Sequence, residues 1–513
     1  MIKKGRAIFN WKMKSQFLKI FFFLFILLNL ILSSWYLLHG DLDFTWEVAR
    51  DFFLLDEMRN KGAILIGPSS STGLFHGPLW TYVNYPLYLF GNSNPIVVGW
   101  GWVIMIIGFL VSGFYIAKNL FDTKTAYFYT LINSVYVVFH AKSLYNPHGA
   151  MFIIPAFFFF FIKYIQTHDM KYLIAHVLLG GALIHFQMAI GVPFVLLSFF
   201  YAAVDTLKAK KKRYLFIYLL IFVTMSNFIV FDLRHDFLLS KLTINFLTST
   251  GRDNLNIISM VYQRINFMTS GIEFFRPEPG YGNLAVFLIF CVFMFFQIKD
   301  KKYKKIYYLF IYFYFGYLLV SNLNSGGLLY FYLFPLFSLV FLIFASFVTS
   351  RLSKIFILII LLILLYNQRS ALIDIVNAEK KFIGKDQNSW LFLSKSAEKM
   401  FFGNEAEFGY FVYHPGTTAY QPKYAMHYIR KFKDKKTYYF QKKQTAYLFI
   451  APPPADNPYM KDEWWRVNLL HINKDPSLII RFDNGYKIEK YKLTDEEINV
   501  PTEQSIDPGI HFR

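Results

Sequence analysis

The sequence contains a single cysteine, Cys291, and only 17% charged residues over its 513 positions. One cysteine excludes an internal disulfide framework and a cysteine-rich metal site. Because Cys291 lies inside an apolar run, we expect it to be a small core residue. The sequence also has no P-loop, no dinucleotide-binding glycine fingerprint, no HExxH motif and no internal repeat. Any chemistry must therefore depend on other side chains.

Apolar and aromatic residues are abundant instead. They make up 55% and 21% of the chain, respectively, which is far from the composition of soluble domains and indicates an integral membrane protein. The formal net charge of +20 is also compatible with a nucleic-acid partner. However, most lysines and arginines fall in short runs beside apolar segments, where they orient helices in a bilayer. We therefore expect membrane lipids around the chain and no nucleic acid.

Apolar runs of about 16 to 23 residues, long enough to cross a bilayer, predict eleven transmembrane helices. The predicted spans are 16–38, 95–117, 124–141, 148–165, 172–188, 191–207, 214–232, 284–298, 305–322, 328–349 and 354–368. No small-residue cleavage site follows the first span, so we expect it to be retained.

Basic loops mark the cytoplasmic side of such a protein. Those of this chain are 118–124, 163–171, 208–213, 299–305 and 351–354. The loops expected outside are 39–94, 142–147, 233–283 and 323–327. This alternation places the basic tail 1–15 in the cytoplasm of a plasma-membrane protein, and the odd number of spans places the carboxyl-terminal region outside.

After Gln368 the composition changes to that of a soluble protein. Strand-like runs are 408–413, 445–451, 478–482 and 486–493, and helix-like runs are 388–402 and 421–432. They predict a small α/β or α+β domain over 369–513. The fold class is therefore a multi-pass helical membrane domain over 16–368, followed by a small extracytoplasmic α/β domain.

The first outer loop concentrates charged residues directly after the first span. Asp43, Glu47, Arg50 and Asp51 are spaced so that one helix would present them as a polar stripe. Asp41 and Asp43 stand where water begins, so they can remain ionised and still face a lipid-borne substrate. The alternative is a solvated helix start, since aspartate is favoured at the positive end of a helix.

This loop resembles the first outer loop of the GT-C superfamily of integral-membrane glycosyltransferases. The nearest similarity is to its bacterial branch of lipid A aminoarabinose transferases and relatives of the protein O-mannosyltransferases. Asp41 matches the leading acid, Arg50-Asp51 match an Arg-acid pair, and Phe75-His76-Gly77-Pro78 match an aromatic-to-proline element that begins a second helix. The chain departs from the pattern at Leu42, where the family often has a second acid, and at His76 and Gly77, which replace an acid and a lysine.

The resemblance implies a GT-C-like fold and transfer of a sugar from a polyprenyl-phosphate donor. The acceptor would be a lipid, glycan or protein of the cell envelope. A phosphate leaving group needs cations to stabilise its charge, whereas the acceptor hydroxyl needs a general base. The resemblance makes Asp41 the first candidate for that base and Asp43 the second, with single displacement and inversion at the anomeric carbon.

Further polar residues are candidates for contacts to the substrate or its phosphate. They are Glu47, Arg50, His76, His148, His185, Arg234 and His235. Arginine is suited to clamping a phosphate, but Arg234 also fits a helix end whose charge reaches the interface. The histidines near helix ends fit either function or interhelical hydrogen bonds. Their scattered spacing supports no divalent-metal site, so no cofactor is assigned.

Two rival functions remain open. A transporter or flippase for a lipid-linked saccharide would carry charged or broken helices at mid-membrane in two matching halves. The sequence shows no such repeat, and its acids cluster at one face. A surface-polysaccharide polymerase or ligase would have a large outer loop late in the helical region, whereas the long loops of this chain, 39–94 and 233–283, come first and in the middle.

Overall fold

The computed structural model describes residues 2–70, 73–249, 257–270, 281–298, 302–322, 330–350, 353–415, 419–454 and 456–503. The chain forms two compact units. We call the first the helical unit; it comprises Met1–Ser34, Ala63–Val83 and Gly101–Ile373. We call the second the mixed unit; it comprises Trp35–Gly62, Asn84–Trp100 and Asp374–Arg513.

Helices dominate the described part of the chain. In chain order they are α1 (Ile2–Ser33), α2 (Trp35–Leu38), α3 (Trp46–Lys61), α4 (Leu79–Phe90), α5 (Pro95–Leu120), α6 (Thr123–His140), α7 (Asn146–Thr167), α8 (Met170–Phe186), α9 (Met188–Lys208), α10 (Leu220–Thr224), α11 (Ser226–Arg234), α12 (Leu238–Ser249), α13 (Ile257–Ser270), α14 (Tyr281–Ile298), α15 (Lys304–Ser321), α16 (Phe334–Ser346), α17 (Ser353–Asn377), α18 (Trp390–Lys399), α19 (Tyr420–Arg430), α20 (Asp462–Trp464) and α21 (Asp495–Asn499). Short 3-10 segments at Lys212–Leu219, Tyr330–Leu333 and Phe347–Thr349 extend α10 and α16.

Helical structure is present at every predicted span. Among the described residues, five helices are long and apolar enough to cross a bilayer: Pro95–Leu120, Asn146–Thr167, Met188–Lys208, Phe331–Thr349 and Ser353–Phe382. The pair Lys212–Thr224 and Ser226–Arg234 forms a sixth candidate, bent by 50°. The chain is therefore a multi-pass helical membrane protein, as predicted, and the count of eleven spans stays a prediction.

Hydrogen bonds between side chains join several helices of the helical unit. Asn29 Nδ2 in α1 donates to Ser134 Oγ in α6 over 3.0 Å. The Tyr129 hydroxyl of α6 lies 3.0 Å from Ser338 Oγ of α16. Because an apolar surrounding offers no water to a buried polar group, each of these groups needs a protein partner. These two contacts tie α6 to both neighbours.

Helices α8 and α9 meet almost without a loop. Only Gln187 separates them, and it ends one helix and begins the other. The two helices then pack closely at Gly191, where an added Cβ would lie 2.5 Å from the backbone nitrogen of Ile184. Glycine is required here because no larger side chain fits between the two backbones.

The mixed unit contains one five-stranded sheet. Its strands are β1 (Glu407–Tyr413), β2 (Lys436–Tyr439), β3 (Thr445–Ile450), β4 (Leu478–Arg481) and β5 (Lys487–Lys492), in the order β2-β1-β3-β5-β4. Strand β1 is parallel to β2 and β3, with Phe411 beside Leu448, whereas β5 is antiparallel to β3 and β4. The predicted small α/β domain is thus confirmed as a fold, with helix α19 connecting the parallel pair β1 and β2.

Both faces of the sheet are covered. On one face Phe411, Leu448 and Tyr491 are fully buried in a cluster completed by the segment around Trp465 and Leu470. On the other face Phe408 contacts Phe401 and Tyr447, which lie next to α18 and in β3. Alternate residues of β1 and β3 therefore point into opposite cores, which explains why both strands read as continuous apolar runs.

Candidate active site

Asp41 lies just after the first helical segments and is fully buried. Its Oδ1 accepts hydrogen bonds from the backbone nitrogens of Leu42 and Leu391, at 2.8 and 3.0 Å. Its Oδ2 accepts one from the Ser389 hydroxyl at 2.6 Å and one from the Gly384 nitrogen at 3.0 Å. Both oxygens of Asp41 are therefore held by donors of the mixed unit.

This arrangement makes Asp41 part of the start of α18. Ser389 is the residue that caps α18, since its hydroxyl accepts from the Phe392 nitrogen. Asp41 adds a carboxylate at the same positive helix end. Burial raises the pKa of Asp41, and the four hydrogen bonds oppose that rise without cancelling it. Proton uptake by either oxygen of Asp41 would disrupt hydrogen bonds that fix the chain.

Asp43 lies outside helix α3, contrary to the prediction that it begins a helical stripe. Its backbone forms an isolated antiparallel bridge with Ser389, and its side chain is buried. Helix α3 begins three residues later because Thr45, the residue before it, has extended backbone angles of −61° and 169°. The predicted stripe therefore keeps Glu47, Arg50 and Asp51, and Asp43 belongs to the segment before them.

Arg50 and Asp51 form an ion pair in α3, and both are buried. The Nη2 of Arg50 lies 3.1 Å from Asp51 Oδ1. The guanidinium of Arg50 also lies 5.0 Å from the ring centre of Trp46, which keeps 46% of its surface exposed. Glu47, in the first turn of α3, is half-buried. A buried cation, already paired with Asp51, thus lies four residues from the exposed start of the helix.

A second cluster in α3 was not predicted from the sequence. Asp56 Oδ1 accepts from the Tyr88 hydroxyl at 2.8 Å and from Lys431 Nζ at 2.7 Å, and Oδ2 lies 3.0 Å from His427 Nε2. Burial alone would raise the pKa of Asp56, but His427 and Lys431 hold it well below its usual value. The sequence did contain a signal, because His427 and Lys431 are four residues apart, a spacing that places both on one face at the end of α19.

In the helical unit, the aromatic-to-proline element packs on the end of α8. The backbone nitrogen of Gly77 donates to the His185 carbonyl at 3.1 Å, and an added Cβ on Gly77 would lie 2.1 Å from His185 Nδ1. The other ring nitrogen of His185, Nε2, lies 2.8 Å from the Thr224 carbonyl and therefore carries a proton. The structure thus brings His76 and His185 into one region, and α4 begins directly after Pro78, as predicted.

Arg234 and His235 lie at the end of α11, beside the same loop. Phe75 contacts Phe231, and the His235 ring stacks on Phe231 with 4.1 Å between centres. His235 Nδ1 lies 2.8 Å from the Phe231 carbonyl. Both Arg234 and His235 are exposed. Arg234 is therefore placed where it can meet a solvated anion, whereas His235 is already engaged by its own helix.

His148 pairs with His140 rather than with the other candidate residues. His148 Nδ1 lies 3.2 Å from both the backbone nitrogen and the carbonyl oxygen of Tyr145, and its Nε2 lies 3.2 Å from His140 Nδ1. Within the part of the chain that the structure describes, no three His, Cys, Asp or Glu side chains gather in a way that would hold a metal ion.

No family model matches the sequence, and no curated protein matches it. A solved structure does match the fold. The chain is similar to the crystal structure of ArnT from Cupriavidus metallidurans bound to undecaprenyl phosphate, with a TM-score of 0.60 and 10% identity, over 92% of this chain and 98% of that one. The chain therefore shares the fold of this ArnT structure, which agrees with the fold implied by the resemblance of its first loop.

Proposed function

We propose that this chain is a membrane glycosyltransferase that takes a sugar from a polyprenyl-phosphate donor. The acceptor is a lipid, glycan or protein of the cell envelope. The observation that carries the proposal is the placement of Asp43 and the Arg50–Asp51 pair directly after the first span in a chain with this fold. The similar ArnT structure was obtained with undecaprenyl phosphate bound, which supports a donor of that class.

The proposed reaction is a single displacement. The acceptor hydroxyl oxygen attacks the anomeric carbon of the sugar and forms the new glycosidic bond. The bond from that carbon to the phosphate oxygen breaks, and its electron pair leaves with the polyprenyl phosphate. The hydroxyl proton passes to a carboxylate of the enzyme, which contributes about 10² to 10⁴ in rate. One displacement inverts the anomeric carbon.

We propose Asp43 as the carboxylate that accepts this proton. The sequence favoured Asp41, but Asp41 already accepts four hydrogen bonds within the mixed unit. If Asp41 were the base, taking up a proton would break one or more of these hydrogen bonds at each turnover. Asp43 lies two residues further along the same segment, before α3 begins, and is the second candidate that the sequence offered for the base.

The leaving phosphate needs positive charge, and we propose Arg50 for this role because its guanidinium is already fixed by Asp51 and Trp46. Glu47 remains a candidate for a contact to the sugar. In the helical unit, Arg234 remains a candidate for phosphate binding. His76, His148, His185 and His235 remain candidates for polar contacts to the substrate. We propose no metal or other cofactor.

We also propose that the reaction takes place on the outer face of the cytoplasmic membrane. The basic loops predicted to lie inside support this orientation, since positive charge is retained on the cytoplasmic side. The amino terminus would then lie in the cytoplasm, and the domain 369–513 and the loop that carries Asp43 would lie outside.

The test uses sealed proteoliposomes to distinguish transfer of the sugar to an acceptor from movement of the intact donor across the bilayer. Purified protein is given labelled polyprenyl-phosphate sugar and a cell-envelope acceptor fraction on the outer-face side. We expect label in the acceptor, released polyprenyl phosphate in equal amount, and no movement of intact donor across the bilayer. Movement of intact donor without bond transfer would instead establish the rival transporter, and chain extension of a surface glycan would establish the polymerase.

A further inference from the structure

Gln187, which joins α8 to α9, has a side chain that the fold does not use. Gln187 is 1% exposed, and neither the nitrogen nor the oxygen of its side-chain amide has a hydrogen-bond partner among the described residues. Its backbone is fully engaged, because its nitrogen donates to Leu183 and its oxygen accepts from Ile190 and Gly191. The side chain makes no capping bond to α9. The unmet hydrogen bonds therefore belong to the side chain alone.

An amide buried in this way is unfavourable for folding. It loses its hydrogen bonds to water and gains none from the protein. A methionine of similar length would fill the same space without that penalty. A buried polar group that has no partner within the protein commonly binds a water, an ion or a ligand. A partner from outside the chain would explain why a glutamine stands at this position.

The chemistry of the amide restricts the partner. Nε2 donates and Oε1 accepts, so a simple anion would satisfy only the nitrogen and a cation only the oxygen. A pair of neighbouring hydroxyl groups satisfies both, because one hydroxyl oxygen accepts and the other hydroxyl donates. The amide also stands at the amino-terminal end of α9, which favours an electronegative atom. Neighbouring hydroxyl groups are the defining feature of a sugar ring.

The surroundings agree with a polar ligand. Two residues before Gln187, His185 supports the loop that carries His76 and Gly77. The Asn146 amide at the start of α7 donates to the carbonyl of Phe186, directly before Gln187. Two polar side chains, those of His185 and Asn146, thus lie at this helix junction.

We propose that Gln187 binds two neighbouring hydroxyl groups of a sugar and so contributes to the choice of sugar. This inference rests on the proposed glycosyl transfer and adds to it the residue that recognises the sugar. Gln187 is a binding residue in this account and takes no part in the proton transfer at Asp43.

The test compares Gln187→Met with Gln368→Met. Gln368 is the matched control, because it is also buried, at 7% exposure, and both its amide atoms also lack a partner among the described residues, but it lies inside α17. Each variant is purified in lipid nanodiscs, and Gln187→Leu is made as a second apolar replacement. The melting temperature is measured with and without a panel of polyprenyl-phosphate hexoses and pentoses. Donor KM and kcat are measured for the best donor and for its singly deoxygenated analogues.

We expect both methionine variants to fold at least as stably as wild type. Gln187→Met should raise donor KM about tenfold relative to wild type. For one deoxygenated donor, which lacks a hydroxyl that Gln187 binds, wild type and Gln187→Met should have similar KM values. Gln368→Met should leave KM unchanged. An unchanged KM in both Gln187→Met and Gln187→Leu would mean that an ordered water alone occupies the site, and would overturn the inference while the proposed transfer stands.

Failure of the proposed function gives a different result. If wild type transfers no sugar from any donor, that proposal fails. In that case the melting temperatures still test the inference. A donor that raises the melting temperature of wild type and of Gln368→Met, but not that of Gln187→Met, would support sugar binding at Gln187. Wild type that no donor stabilises would overturn both.

Discussion

At the scale of single residues, two aspartates two positions apart have different surroundings and therefore different proposed roles. The Asp41 carboxylate accepts four hydrogen bonds and holds the start of α18, whereas Asp43 pairs with Ser389 through its backbone. The sequence could not separate them. The donors to Asp41 from Gly384, Ser389 and Leu391 lie 343 to 350 residues further along the chain.

The first prediction concerns Asp41→Asn. An amide in place of the carboxylate directs N–H groups at N–H donors, so we expect a loss of about 1–3 kcal/mol of stability. The folded fraction should keep most of its transfer rate. Asp386→Asn is the control, since Asp386 accepts a hydrogen bond from the nearby Asn388 nitrogen, and a change below about 0.5 kcal/mol is expected. Denaturant unfolding and transfer assays check both. Unchanged stability with lost activity would return Asp41 to the role of base.

A second prediction at this scale concerns the Arg50–Asp51 pair. Asp51→Asn should destabilise the fold by about 3 kcal/mol, because it removes the counter-charge from a buried guanidinium. The double variant Arg50→Met/Asp51→Leu should recover most of that stability while transfer remains lost, if Arg50 binds the phosphate. Unfolding curves and the transfer rate are compared. Recovery of both stability and transfer would exclude Arg50 from the reaction.

At the scale of elements, helix α3 is fixed to α19 by Asp56. The carboxylate of Asp56 contacts His427 and Lys431, and together they hold the helix that carries Arg50. The pKa of Asp56 is lower in the folded protein than its ordinary value of about 3.9. Such a carboxyl adds stability that is complete above the unfolded pKa and is lost as the pH falls below it.

We therefore predict that Asp56→Asn lowers stability by about 2 kcal/mol at neutral pH, less than for a fully buried pair because Lys431 keeps 22% of its side chain exposed. The difference between wild type and variant should shrink as the pH falls below about 4. The control is Glu398→Gln, whose pair with Lys433 is partly exposed and is expected to contribute less than about 0.5 kcal/mol. Thermal unfolding at several pH values tests this. A difference that grows on acidification would contradict it.

The helices and strands also show which parts of the fold can be predicted from the sequence. Long apolar runs correctly predicted helices at every span, and a short strand-like run correctly predicted the strand Thr445–Ile450. Both signals are local, so the sequence alone contains them. The strand Lys436–Tyr439 was missed, since four residues with no fully buried face carry no periodicity. In the sequence, Gln187 is a polar residue at a helix end, a position that fits either function or an interhelical hydrogen bond. Its lack of a partner depends on how α8 and α9 pack, which no local pattern specifies.

At the scale of the whole molecule, the predicted orientation can be tested by cysteine labelling, because only one native cysteine has to be replaced. In a Cys291→Ser background, Asp456→Cys and Lys210→Cys place thiols at exposed positions of the carboxyl-terminal domain and of the basic loop 208–213. A membrane-impermeant maleimide should label the first in intact cells and the second only after permeabilisation. The opposite pattern would place the acids of the first loop in the cytoplasm and remove the outer-face reaction.

The chain as a whole combines a fold shared with ArnT and a carboxylate after its first predicted span. The central claim is that this carboxylate, Asp43, takes the proton from the acceptor. Single-turnover transfer from a polyprenyl-phosphate sugar tests it most directly, in wild type and in Asp43→Asn of equal melting temperature. The account predicts a loss of about 10² to 10⁴ in the rate of the variant. An equal rate in the two proteins would contradict it.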